Sequence, residues 1–102
     1  MLLFIFFGIS ARKEGQPSDD ELEELSELLG LSWEKLARRL GFKKGRIEGF
    51  RKDNEELSKK AFDMLIRWKE KEGADATYTI LYDALCHKLV QQRDLAETFC
   101  CN

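Results

Sequence analysis

LGLSWEKLARRLGFKKGRIEGFRK, residues Leu29 to Lys52, is the stretch on which the fold turns. Ser32 reads as an N-cap, and Trp33, Leu36, Ala37 and Leu40 follow at i, i+3, i+4 and i+7 before Gly41 stops the helix. A short helix carrying Ile47 and Phe50 comes next. Between Glu34 and Lys52, eight bases (Lys35, Arg38, Arg39, Lys43, Lys44, Arg46, Arg51 and Lys52) stand against two acids, Glu34 and Glu48. The local charge is therefore +6. Two readings fit this stretch. Ala37, Gly41 and Ile47 have the spacing of a helix-turn-helix, in which Lys43, Lys44, Arg46, Arg51 and Lys52 would lie on the recognition helix. The other reading is a basic face that docks an acidic protein surface. The rest of the chain decides between them.

On the N-terminal side, Leu22, Leu25, Leu28 and Leu29 form one stripe of a preceding helix. Ser18 with Glu21 three places later forms a capping box, and Gly30 ends the helix. On the C-terminal side, Asp53 with Glu56 repeats the capping pattern. Leu57, Ala61, Met64, Leu65 and Trp68 then run down a long fourth helix that ends at Gly73. Trp68 is expected against the first and fifth helices. Asp75 or Thr77 caps a fifth helix with Ile80, Leu81, Ala84, Leu85 and Leu89, and Leu95, Ala96 and Phe99 mark a sixth. No strand pattern appears in residues 18–102, so the fold class is an all-α bundle with Trp33 and Trp68 in its core.

The 102 residues, 43% of them apolar, suffice for one globular domain and leave little room for a second. Enzyme chemistry finds no footing: there is one His, and no G-x-S-x-G, Walker A or H-E-x-x-H motif. Gly41, Gly45 and Gly49 follow no strand and read as turn and packing positions, not as a phosphate cradle. Cys86, Cys100 and Cys101 are a poor disulfide framework and fit reduced thiols in the cytoplasm. With His87 adjacent to Cys86 and no C-x2-C pair, the expectation is no metal and no cofactor. Cys100-Cys101-Asn102 does not fit the C-a-a-X prenylation frame.

Met1–Ser10 is the one continuous apolar run, and ten helical residues span about 15 Å, half of a ~30 Å hydrocarbon core. It lacks the basic n-region of a signal peptide. Arg12 and Lys13 follow it as they would follow the inner end of a truncated membrane span, which would make the domain the cytoplasmic tail of a receptor. An extra strand or tail packed on the domain is the alternative. Residues 1–16 are thus assigned as apolar leader and polar linker, and 17–102 as the domain.

Asp19, Asp20, Glu21, Glu23, Glu24 and Glu27 give the first helix six acids and no base. A formal net charge of only -2 hides a dipolar molecule. Leu29-Gly-Leu-Ser-Trp33, Leu36-Ala-Arg38, Leu40, Ile47, Asn54, Leu57, Met64-Leu-Ile-Arg-Trp68, Gly73, Ala76-Thr77, Leu81, Leu85 and Leu95-Ala-Glu97 together resemble a death domain. The resemblance covers residues 18–100 and is closest to the ankyrin-type and netrin-receptor-type members. At Asn54 a Pro often follows in ankyrin-like domains, whereas Glu55 stands here, so the corner between the third and fourth helices is expected to differ.

The resemblance implies a six-helix antiparallel Greek-key bundle without catalytic activity. It also implies homotypic binding to other death-domain proteins, this chain included, as homo- or hetero-oligomers in apoptotic or inflammatory signalling. One interface type of the family sets helices one and four against helices two and three. Here that pairing would oppose Asp19, Asp20, Glu23, Glu24 and Glu27 to Arg38, Arg39, Lys43, Lys44 and Arg46. Nucleic acid is not expected as a specific partner, because the acids of the first helix offset the basic face.

Overall fold

Six amphipathic helices bury their apolar stripes against one another in the computed structural model, which describes residues 11–102. They are α1 (Asp19–Leu29), α2 (Trp33–Arg39), α3 (Lys44–Asp53), α4 (Leu57–Glu72), α5 (Tyr78–Cys86) and α6 (Arg93–Cys100), with 3-10 turns at Gly30–Ser32 and Gly73–Asp75. Among the described residues the only β pairing is an isolated antiparallel bridge between Arg12 and Cys101. The apolar leader expected at Met1–Ser10 lies outside the described residues. No described helix is long and apolar enough to cross a membrane.

α4 is the post of the bundle. It packs most extensively on α1, and also on α3 and α2, while α5 pairs with α6 and α6 reaches α1. The core holds Trp33 and Trp68 at 1% exposure, with Leu22, Leu25, Leu36, Met64, Leu65 and Leu85 fully buried around them. Trp68 is buried on α4, whose main neighbours are α1, α3 and α2. The helix stripes are also narrower than the periodicity suggests. Leu28, Leu57, Ile80 and Leu89 are exposed, because each lies at the edge of its helix stripe or beyond the helix end.

Caps set the boundaries, though not always with the expected residues. Ser18 Oγ accepts from the Glu21 N–H at 3.1 Å and Glu21 Oε1 accepts from the Ser18 N–H at 2.9 Å, a complete capping box. Thr77 Oγ1 accepts from the Ile80 N–H at 3.2 Å and so starts α5. Ser32 caps nothing: it sits in the 3-10 turn, and its Oγ accepts from Gln92 Nε2 instead. The Asp53/Glu56 capping box is absent because α3 continues through Asp53. At that corner Asn54 Nδ2 donates to the Phe50 carbonyl and to Asp63, while Lys60 Nζ donates to the Arg51 and Asn54 carbonyls.

Gly41 has φ +100°, the left-handed turn residue that ends α2 and its capping loop. Gly45 and Gly49 differ from that expectation. Both are inside α3, and a Cβ at either would meet nothing within 4 Å, so neither is required for packing.

The polar segment before α1 is no free linker. The Lys13 N–H donates to the Cys100 carbonyl, the Asn102 N–H to the Ala11 carbonyl and the Tyr78 N–H to the Gly15 carbonyl. Pro17 is fully buried, and the Arg12 guanidinium stacks 3.5 Å from the Tyr82 ring centre. Lys13 Nζ pairs with Glu21 at 2.9 Å, and the Tyr78 hydroxyl donates to the same carboxylate at 2.5 Å. Burial works against the Glu21 carboxylate, but the donors Tyr78, Ser18 and Lys13 outweigh it and hold the group at about 2, below its ordinary 4.5. Burial pushes Tyr78 up to about 12, helped by the Glu21 charge, and burial beside Cys101 pushes the Cys100 thiol up to about 12.

These directions fix the pH dependence of stability. A depressed carboxylate contributes above its unfolded value, so the Glu21 share is lost as pH falls from about 4.5 toward 2. Raised groups contribute below their unfolded values. The Cys100 and Tyr78 shares are therefore lost as pH rises through the window from 9 and 10, respectively, to about 12. Thermal melts across pH should show the acid limb flattened in Glu21→Gln, and an acid limb identical to wild type would rule out this network as its source.

Candidate protein-docking faces

The basic face is a cleft between α2 and α3. Arg38 and Arg39 close the last turn of α2, where cations complement the helix dipole, and Lys44 opens α3 across from them. These three line a cavity of about 410 Å³ together with Lys35, Arg51, Glu34, Glu48, Ile47 and Leu89. Lys43 and Arg46 are exposed but stand outside the cleft, with the Arg46 guanidinium 5.3 Å from the Phe50 ring centre. Among the described residues Lys35, Arg38 and Lys44 form no ion pair. Arg51, by contrast, is held by Glu34 of α2 and by Glu48 of its own helix, which raise its pKa. The rim residue Leu89 comes from the α5–α6 turn and is 53% exposed. Its N–H donates to His87 Nδ1 at 3.0 Å, and His87 Nε2 lies 3.1 Å from Arg39 Nη1, which fixes the turn beside the cleft.

The acidic face centres on α1, but not all of its acids are available. Asp19 is bonded to Lys69 of α4 at 3.0 Å, and Glu21 faces the Lys13 and Tyr78 donors. Asp20, Glu23, Glu24 and Glu27 are exposed and make no ion pair among the described residues. Glu23 and Glu27 line a groove of about 650 Å³ between α1 and α4, where the half-buried Phe62 and Ile66 contribute apolar surface and Glu56 and Asp63 add carboxylates that are paired with Lys59, also in the groove, and with Arg67. The groove and the cleft share no residue. One molecule thus carries both an acidic and a basic face.

The arrangement gathers Arg38, Arg39 and Lys44 in one cleft and Asp20, Glu23, Glu24 and Glu27 on one face of α1, with Asp19 exposed but paired with Lys69. It adds Lys35, which the local charge count contained but did not single out, Arg51, which was assigned only to a recognition helix, and Leu89, Asp63 and Glu56, which no site reading included. Their only sequence signal was polarity or hydropathy in other helices. Ala37, Gly41 and Ile47, the residues of the helix-turn-helix spacing, serve as core and turn residues here. Of the bases assigned to a recognition helix, Arg51 is tied to two carboxylates.

The sequence matches the family model described as Death domain over residues 19–99. Two curated relatives, THO complex subunit 1 of Homo sapiens and THO complex subunit 1 of Mus musculus, are each 30% identical over 74 residues. The alignment covers 72% of this chain and 11% of each relative, so the chain spans about a tenth of their length. A match running from the first residue of α1 to the last turn of α6, across the six helices of the described residues, establishes that this chain belongs to the death-domain family.

Proposed function

We propose that this domain assembles with other death domains, including further copies of itself, by seating an acidic α1–α4 face in a basic α2–α3 cleft. The observation that carries the reading is the division of unpaired charge: Asp20, Glu23, Glu24 and Glu27 on one face, and Lys35, Arg38 and Lys44 on the other. Complementary fields of this kind steer docking and select partners. Because the two faces differ, each contact is head-to-tail and leaves a free face at either end, so assembly is open-ended unless its rotation closes a ring. Membership of a family of non-catalytic interaction modules supports the reading. The relatives, by their names, are subunits of a complex, whereas the resemblance to death domains implies apoptotic or inflammatory signalling. Signalling of that kind is the role we propose for this chain. Three free thiols favour a reducing compartment, and we place the domain in the cytoplasm.

The test is charge reversal. Arg38→Glu with Arg39→Glu, and separately Asp20→Lys with Glu24→Lys, should each weaken self-association about tenfold or more while circular dichroism stays unchanged. Mixing the two variants should restore one junction per pair. Folded variants that associate like wild type would sink the reading, and a salt-resistant, sequence-selective DNA gel shift would favour the helix-turn-helix reading in its place.

A further inference from the structure

Arg51 is held from two sides, and the two carboxylates do different work. The pair with Glu34 crosses from α3 to α2 and ties the cleft walls together. The pair with Glu48, 2.6 Å from Nη1, lies within α3 at i,i+3 and adds no tertiary connection. Glu48 is 47% exposed and lines the same cleft as Arg38, Arg39 and Lys44. It subtracts charge from a surface otherwise built of cations. It also occupies one edge of a guanidinium, whose planar fork is the group best matched to an incoming carboxylate.

We propose that Glu48 is a specificity-determining residue of the cleft: a built-in competitor that an acidic face of a second copy must displace from Arg51 in order to dock. The inference rests on the docking reading above. The second copy is the occupant because its α1 presents Asp20 with Glu24 and Glu23 with Glu27, carboxylates one turn apart on an exposed helix surface. A lone carboxylate gains little by exchanging places with Glu48. Two carboxylates can engage Arg51 and the unpaired Arg38 or Lys44 together, so the competitor discriminates in favour of paired acids.

The experiment measures self-association of the full chain by sedimentation over a salt series. Glu48→Gln should tighten it about fivefold, the scale of one exposed charge pair. The variant should also show a steeper salt dependence and a melting temperature like that of wild type. Glu34→Gln, which removes the same charge but cuts the link between α2 and α3, should lower the melting temperature. Glu14→Gln neutralises an exposed acid outside the cleft and should leave association as it is. If wild type fails to associate even at low salt, the docking reading falls and this inference with it. If wild type associates through Arg38 and Arg39, but Glu48→Gln has no effect or weakens the contact, only the role of Glu48 is overturned. Equal tightening by Glu14→Gln would also overturn it, since net charge alone would then account for the change.

Discussion

Trp68→Ala should cost about 3 to 5 kcal/mol of folding free energy, a large part of the roughly 5 to 15 kcal/mol that holds a domain together. The side chain is 1% exposed, on the helix that packs against α1, α2 and α3. Removing a fully buried indole leaves a cavity that a close-packed core fills only in part. Docking should be lost along with the fold, not independently of it. Thermal unfolding and self-association measured on the same variant separate the two. A tryptophan acting as an exposed contact would leave the melting temperature unshifted and abolish only association, and that outcome would refute the placement of α4.

The second large effect is a contrast between two leucines of one helix. Leu25→Ala should destabilise by about 2 to 5 kcal/mol, whereas Leu28→Ala should stay within about 0.5 kcal/mol of wild type. Leu25 is fully buried in the α1–α4 contact, while Leu28, three residues on, is 58% exposed. Urea titration of both variants tests this directly. Equal midpoints would mean that α1 is rotated about its axis from the orientation described. The acidic face depends on that rotation, since Asp20, Glu24 and Glu27 lie on the side of α1 opposite the buried stripe of Leu22, Leu25 and Leu29.

Much of this molecule was legible before any coordinates. The helices of residues 18–102, the cap at Ser18, the turn at Gly41 and the two core tryptophans follow from signals contained within one or two helical turns, and of the two candidate caps Asp75 and Thr77 the structure uses Thr77. The same locality explains the errors. Asp53 and Glu56 have the spacing of a cap, but Asn54 and Lys60 hold the corner through carbonyls and through Asp63, so α3 runs on past the predicted boundary. Arg12–Pro17 looks like a linker by composition, yet its partners Tyr78, Cys100 and Cys101 lie at the other end of the chain.

By itself the sequence determined an all-α domain of the death-domain family and a division of charge between its first helix and its second and third. The helical class and the division of charge depend on periodicity, capping and residue count, which are set along the chain, whereas the family entered as a resemblance carried by residues such as Trp33, Leu36-Ala-Arg38 and Trp68. Only the tertiary structure decided which of those charges are free to meet a partner. Asp19 is paired with Lys69 at a separation of 50 residues, Glu21 is bonded by Tyr78 at 57, and Arg51 by Glu34 at 17. A side chain's charge is fixed by its residue type, but its availability depends on what folding places within a few ångströms of it, and no local pattern encodes that.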